Sequence, residues 1–324
     1  MTTTADPRAK NRGARVGGQN IPAPNALWQR YYGQGLNRKA KTDGVGAALA
    51  YEFRPNEQHT YRFAVDSLIR QPDNTERFHA LPGQNGMGWI GNPHLKPERH
   101  NRISLAASWQ GAGWRDYGKV ANSDLGGAWQ IEAKADYDKV SNFITLDRAR
   151  GQSGIRQSDG SVISRNVDAT LIGAEIGAAK SLTANLAARS KIRYQYGENN
   201  GDDRPLYNIR PLTADVALDW QDYAPFGSYN VGANLHYAHK NTRLDSDKTK
   251  GLGIDNPLHY QSYATVNLYA SLQTRDRFAV SLGIDNLLDR KYHAYNEQPH
   301  VASLSPAAVA APERTYWLGF SFNF

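Results

Sequence analysis

From residue 44 to the C-terminus the chain alternates apolar and polar side chains with a period of two. Residues 212–220 place Leu212, Val216, Leu218 and Trp220 on one face, and Thr213, Asp215 and Asp219 on the other. Residues 264–272 set Ala264, Val266, Leu268, Ala270 and Leu272 against Thr265, Asn267, Tyr269 and Ser271. Phe278, Val280, Leu282 and Ile284 oppose Ala279, Ser281, Gly283 and Asp285, and Tyr229, Val231, Ala233, Leu235 and Tyr237 oppose Asn230, Gly232, Asn234 and His236. Successive Cβ atoms of a strand point to opposite faces, so each stretch reads as a strand with one apolar and one polar side. Eleven such segments are predicted: 44–54, 60–71, 101–110, 127–148, 162–180, 184–199, 211–222, 227–240, 260–274, 277–291 and 312–324. No helix-period segment competes with them. Short links (54–58, 181–183, 222–226, 274–275) alternate with long ones (72–100, 149–161, 200–210, 241–259, 292–311); the link at 111–126 breaks the alternation by being long.

A long series of up-and-down strands with one apolar face has two solutions. In a soluble sandwich the apolar face packs on a second sheet. In a membrane barrel it meets lipid while the other face lines a watery lumen. Three features favour the barrel. Charge sits in mid-strand on the polar faces, as in Glu132, Lys134 and Asp136 or Arg189, Lys191 and Arg193. Short turns at one end and long loops at the other match outer-membrane topology. The apolar faces end in aromatics (Tyr51 and Phe53, Trp109, Tyr194 and Tyr196, Trp220, Tyr237), as interfacial girdles do. At the C-terminus Tyr316, Leu318, Phe320, Phe322 and Phe324 alternate with Trp317, Gly319, Ser321 and Asn323. Termini fray, so a soluble protein gains little from such an ending; it reads as a signal for barrel-assembly machinery.

Composition removes several classes. With no Cys there is no disulfide framework, thiol nucleophile or thiolate metal site. No run of about 18 apolar residues is present, so no transmembrane helix is predicted. The net charge of +7 is local: residues 1–42 hold eight Lys and Arg against Asp6, and the remainder is balanced. That basic arm reads as a solvated terminus rather than a nucleic-acid footprint. Residues 1–20 lack an apolar h-region, so no leader is expected there. Ser228, Ser262 and the histidines lack a nucleophile-elbow context, and Gly83–Gly88 lacks the strand-to-helix setting of a phosphate cradle. The chain does not read as an enzyme.

Several short strings then resemble the C-terminal half of TonB-dependent outer-membrane receptors. They are Thr75-Glu76-Arg77-Phe78, Gly91-Asn92-Pro93-His94-Leu95-Lys96-Pro97-Glu98, Ser141-Asn142-Phe143-Ile144 and Asn166-Val167-Asp168-Ala169. Tyr196-Gly197-Glu198-Asn199, Arg204-Pro205-Leu206 before Pro211-Leu212, and Gly283-Ile284-Asp285-Asn286-Leu287-Leu288-Asp289 follow in order, with Tyr316–Phe324 last. Gly-Asn-Pro and Lys-Pro-Glu are turn chemistry that returns an outer loop to a strand. Asp285, Asn286 and Asp289 offer side chains for turn bonding at the outer rim.

The resemblance implies an all-β, antiparallel, up-and-down transmembrane barrel. About 11 strands of a barrel of about 22 are expected, over residues 44–324, after a basic loop-like segment at 1–43 that resembles an outer loop. Neither the family's plug nor its energy-coupling box is recognised in the chain, so TonB coupling is expected to belong to a part missing from it. The implied function is uptake of a metal complex (a siderophore, haem or copper) across the outer membrane. The implied partners are outer-membrane lipid, the assembly machinery and the small complex itself; no nucleic acid and no resident cofactor is expected. Candidate ligand-binding residues in outer loops are His79, Met87, Trp89, His94, His259, His293 and His300, with His100 beside them. Imidazole and thioether suit copper, and imidazole suits haem iron. No two of them share the tight spacing of a closed metal site. His236 and His239 fall within a strand, where lumen or rim placement accounts for them. A passive porin-like channel, a soluble β-sandwich binding module and a nonfunctional receptor fragment remain as alternatives.

Overall fold

The structure is a computed structural model that describes residues 2–4, 14–16, 19–21, 23–33, 39–41, 43–82, 88–111, 128–207, 209–247, 249–252, 261–274, 278–294 and 310–322. Near the start lie β1 (Thr2–Thr4), β2 (Ala14–Val16), β3 (Gln19–Ile21), α1 (Pro24–Tyr32) and β4 (Lys39–Lys41), with β1 paired to β4 and β2 to β3. There follow β5 (Ala47–Asn56), β6 (His59–Arg70), α2 (Asn74–Phe78), β7 (Ala80–Leu81), β8 (Trp89–Ile90), β9 (Glu98–Gln110), β10 (Trp129–Arg148) and β11 (Val162–Ser181). The chain continues through β12 (Leu186–Asn199), β13 (Arg204–Pro205), β14 (Thr213–Ala224), β15 (Gly227–Ala238), β16 (Tyr263–Thr274), β17 (Phe278–Asp285) and β18 (Thr315–Phe322).

Eleven strands form one antiparallel meander in the order β5-β6-β9-β10-β11-β12-β14-β15-β16-β17-β18. They correspond one for one to the eleven alternating segments. The two-residue strands β7, β8 and β13 extend the sheet at its long-loop end. β5 and β18 are the two edge strands, and among the described residues no pairing joins them. The sheet is therefore an open wall segment.

Register shows the sheet's two faces. One row runs Leu49, Val65, Ile103, Tyr137, Ile172, Tyr196 across six strands. Another runs Leu218, Ala233, Leu268, Ile284, Tyr316 across the last five. These rows stay uncovered: Ile103 is 49% exposed, Leu218 47% and Tyr316 68%. In water each such side chain would forgo about 1–3 kcal/mol of burial. On the opposite face one row reads Glu132, Gly177, Lys191, Asp215, His236, Thr265. Rings gather at the short-turn end of the apolar face, with Tyr61 between Phe53 and Trp109 at 6.3 and 6.1 Å, and Trp220 5.3 Å from Tyr229.

The segment read as loop-like contains the helix α1. Pro24 stands at its first turn and Gly33 closes it at φ 74°, donating its N–H to Gln29 O. Leu27, Trp28 and Tyr31 form one short apolar stripe, buried against Ile90, Ala149 and Ile163. Nine residues hold too few turns for a helical period to stand out, and packing rather than propensity holds such a helix. This cluster sits over the long-loop end of β10 and β11, on the same side as α2.

Candidate functional site

The family-like strings, scattered in sequence, converge at the long-loop end. α2 carries Thr75–Phe78 and opens with a reciprocal cap, in which Glu76 N donates to Asp73 Oδ1 and Asp73 N to Glu76 Oε2. Arg70 then bridges Glu76 and the buried Glu98, donating Nε to Glu98 Oε2 at 2.7 Å and Nη2 to Glu76 Oε1 at 2.9 Å. Glu98 also accepts from Ile144 N at 2.7 Å and lies 2.8 Å from His100 Nε2, whose other nitrogen meets Asp138 Oδ2. A bulge between Val140 and Phe143 places Asn142 at φ 58°. Asn142 N donates to Asp168 Oδ1, and Asn166 Nδ2 donates to the carbonyls of Asn142 and Lys96. The bulge therefore turns Phe143, Thr145 and Asp147 to the polar side and ties four of the strings together.

A second knot is centred on Arg204. Its guanidinium donates to Asp147 Oδ2 and Asp245 Oδ2 at 2.7 Å each and to Asp202 Oδ2 at 3.0 Å. Arg165 binds the same Asp147 and Asp202. Asp245 Oδ2 also accepts from Leu252 N. A Cβ on Gly251 would stand 2.0 Å from Asp245 Oδ1, so only glycine lets this loop close on the pair. The knot joins β10, β11, β13 and the segments after β12 and β15.

The structure brings some predicted site residues together and separates others. His79 and Trp89 meet, ring centroids 4.5 Å apart, beneath α1, and Trp28 Nε1 donates to His79 O. His94 lies edge-on to Tyr32 at 6.3 Å. His293 adjoins Tyr292 at the rim after β17. Met87, His259, His300 and Phe324 lie outside the described residues. Tyr316, Leu318, Phe320 and Phe322 line the apolar face of the edge strand β18. Tyr31 belongs to the same packing as His79: burial pushes its hydroxyl up to about 12, and it donates to Asp159 Oδ2 at 2.7 Å.

Burial holds the His79 imidazole below its ordinary 6.5. A lowered folded value means the contact is fully stabilising above that pH and is lost as the pH falls through the lowered value. Amide exchange at Gly91, whose N–H donates to His79 O, is expected to lose protection as the pH falls below the ordinary histidine value of 6.5. His79→Gln should abolish that pH dependence, and a protection factor unchanged by acid would refute the assignment.

The polar face carries a basic stripe on β12 matched by acids on both neighbours. Arg189 pairs with Asp219, Lys191 with Glu175, and Arg193 with Glu175 and Asp215. Arg189, Lys191, Asp215, Asn234 and Tyr269 line a concavity of about 530 Å³ there. Exposed pairs of this kind contribute about 0–1 kcal/mol each, so their main effect is a wall locally balanced in charge. At the outer end of this face His236 Nδ1 lies 2.7 Å from Asp215 Oδ1, and its ring is 5.9 Å from that of Tyr263. Tyr263 stacks on Tyr292 at 4.3 Å. The sequence accounts for His236 as a strand residue and does not mark Tyr263, Tyr292 or the partners of Arg204. Only the polar-face alternation ending in His236 hinted at the first of these. Among the described residues no group of three or more His, Asp and Glu is arranged to hold a metal ion, and no helix is long and apolar enough to cross a membrane.

Comparison with known proteins gives the geometry a context. A family model described as "TonB dependent receptor-like, beta-barrel" matches residues 22–287. Among solved structures, the copper transporter OprC is 22% identical, with a TM-score of 0.63, over 86% of this chain and 39% of its own. The ferric enterobactin receptor PfeA from Pseudomonas aeruginosa, solved as a mutant, is 18% identical, with a TM-score of 0.61 over 86% and 39%. The FrpB iron transporter from Neisseria meningitidis is 12% identical, with a TM-score of 0.56 over 86% and 39%. At these identities the likeness is one of fold. The chain spans about two fifths of the length of the solved proteins it matches. No curated protein matches it.

Proposed function

The chain belongs to the TonB-dependent receptor β-barrel family, and from that membership we propose that it forms part of the wall and outer mouth of an outer-membrane receptor taking up a small metal complex. One observation supports this above others: large apolar side chains line one face of the sheet uncovered, while the other is polar and charged. Lipid solvates the first face and a lumen the second. In this reading the long-loop end, with its two knots, faces outward and meets the ligand. A plug docked on the polar face would carry coupling to TonB, and β18 would present its alternating aromatics to the assembly machinery. Residues 1–43 would extend the outer mouth through α1.

Single cysteines test the partition. At Val216, Leu268 and Val280 they are expected to react with bilayer-restricted probes in outer-membrane vesicles. At Asp215, Asn267 and Ser281 they should react with small water-soluble probes instead. The reverse pattern would overturn the reading.

A further inference from the structure

We propose that His236 Nε2, with the stacked Tyr263–Tyr292 pair beside it, is a docking point for a chelated metal that keeps an exchangeable coordination position and carries a flat ring. The inference deepens the receptor reading and rests on it. His236 lies two residues from the outer end of β15, and Tyr263 is the first residue of β16. Register puts both on the polar face: His236 pairs with Asp215 and Thr265, and Tyr263 with Ala238. The ring is oriented from behind. Asp215 Oδ1 lies 2.7 Å from His236 Nδ1, and Asp215 Oδ2 accepts from Arg193 Nη1 at 3.0 Å. With one carboxylate oxygen engaged by Arg193, the other accepts a hydrogen bond from Nδ1–H and leaves the lone pair on Nε2. That is how a carboxylate bonded to the far ring nitrogen prepares an imidazole to bind a metal.

Nε2 of His236 meets no partner among the described residues. The contrast with His100 is direct, because both of its nitrogens are taken by Glu98 and Asp138. The tyrosine pair, 4.3 Å apart and 30° from parallel, lies beside the imidazole, with the Tyr263 ring 5.9 Å from it. It is held in place by the string at 283–289. Asn286 N donates to Asn267 Oδ1, its side chain bonds Arg290 N and O, and Ala311 N donates to Tyr292 O. A preorganised shelf loses little on binding. One imidazole without a second or third protein ligand is a poor site for a bare ion and a good one for a metal already chelated. Imidazole suits copper, nickel, zinc and iron in such complexes.

The probe is Cu(II)–2,2′-bipyridine, which has a flat ring system and exchangeable positions; Cu(II)–iminodiacetate, which has no ring, is its control. The purified full chain in detergent micelles is expected to bind the bipyridine complex with an imidazole nitrogen visible in the copper paramagnetic resonance spectrum. His236→Ala and His236→Gln should each weaken binding at least tenfold, and Asp215→Asn about tenfold. Tyr292→Ala should weaken the bipyridine complex several-fold and leave the iminodiacetate complex unchanged, while Tyr292→Phe should bind both as before. His239→Ala, whose Nδ1 already meets Tyr237 OH, should change neither. Unchanged binding in both His236 variants, or an equal loss in His239→Ala, overturns the docking point. The cysteine pattern at Val216, Leu268 and Val280 reads the receptor assignment separately, so the two fail distinguishably.

Discussion

Arg204→Met is expected to unfold the outer rim by local opening, at a cost of about 3–5 kcal/mol. The side chain is nearly buried and answers three carboxylates: Asp147, Asp202 and Asp245. Removing it leaves Asp147 and Asp202 with Arg165, and Asp245 with the Leu252 N–H. An ion pair in this setting contributes little net stability compared with an apolar replacement of both partners, but breaking it from one side strands charge in a poor solvent. The cost should appear locally, because the knot sits at the long-loop ends of β10 and β11, on β13 and in the segments after β12 and β15, while the β14–β15 ladder contributes none of its members. Hydrogen exchange should quicken at Leu252 and around 202–206, and the amides of β14 and β15 should keep their protection. Arg204→Lys should recover only part of the loss, since an ammonium lacks the planar fork that reaches Asp147 and Asp245 together. Uniform protection in Arg204→Met would show that the knot holds nothing.

Leu218→Arg is expected to impair insertion by about 2–4 kcal/mol, the cost of a cation at the midplane of a barrel's lipid face. Its depth follows from the register. On β15 the apolar face runs from Tyr229 to Tyr237, roughly 27 Å along the strand at about 3.4 Å per residue. At a tilt of about 40° that projects to about 20 Å, close to the ~25 Å apolar band of such barrels. Ala233 is the midpoint of that run, and Leu218 is its partner across β14. Ser271→Arg, on the polar face of β16, should cost less than about 1 kcal/mol because its cation enters water. Guanidinium titrations of the chain refolded in lipid vesicles would compare the two. Equal costs would mean that the faces are not solvated differently.

The strands were readable because alternation is a property of the local backbone. Leu218 and Asp219 diverge whatever lies beside them, and a tight link such as 222–226 announces its own reversal. The helix α1 was not readable: Leu27, Trp28 and Tyr31 make a stripe only once Ile90 and Ile163 cover it. The string Asn142-Phe143-Ile144 was visible, but its meaning depended on Asp168 and Asn166, which reach it across β11. His79 and Trp89 are ligand candidates by their chemistry alone; that their rings meet at 4.5 Å and that Trp28 of α1 bonds His79 O only the structure shows. In the sequence the strand position of His236 accounts for it, and nothing there places Asp215 behind its ring.

What the sequence determined alone was a set of eleven two-faced strands, their order of short and long links, and the family they resemble. Each of these is written in neighbouring residues. What only the tertiary structure decided was which polar side chains meet: Arg204 with Asp147 and Asp245, Glu98 with Arg70 and Ile144, His236 with Asp215 and, through Tyr263, with Tyr292. Those meetings depend on strand register and on one bulge. A shift of one residue in either would leave the alternation unchanged and bring different side chains together at the mouth.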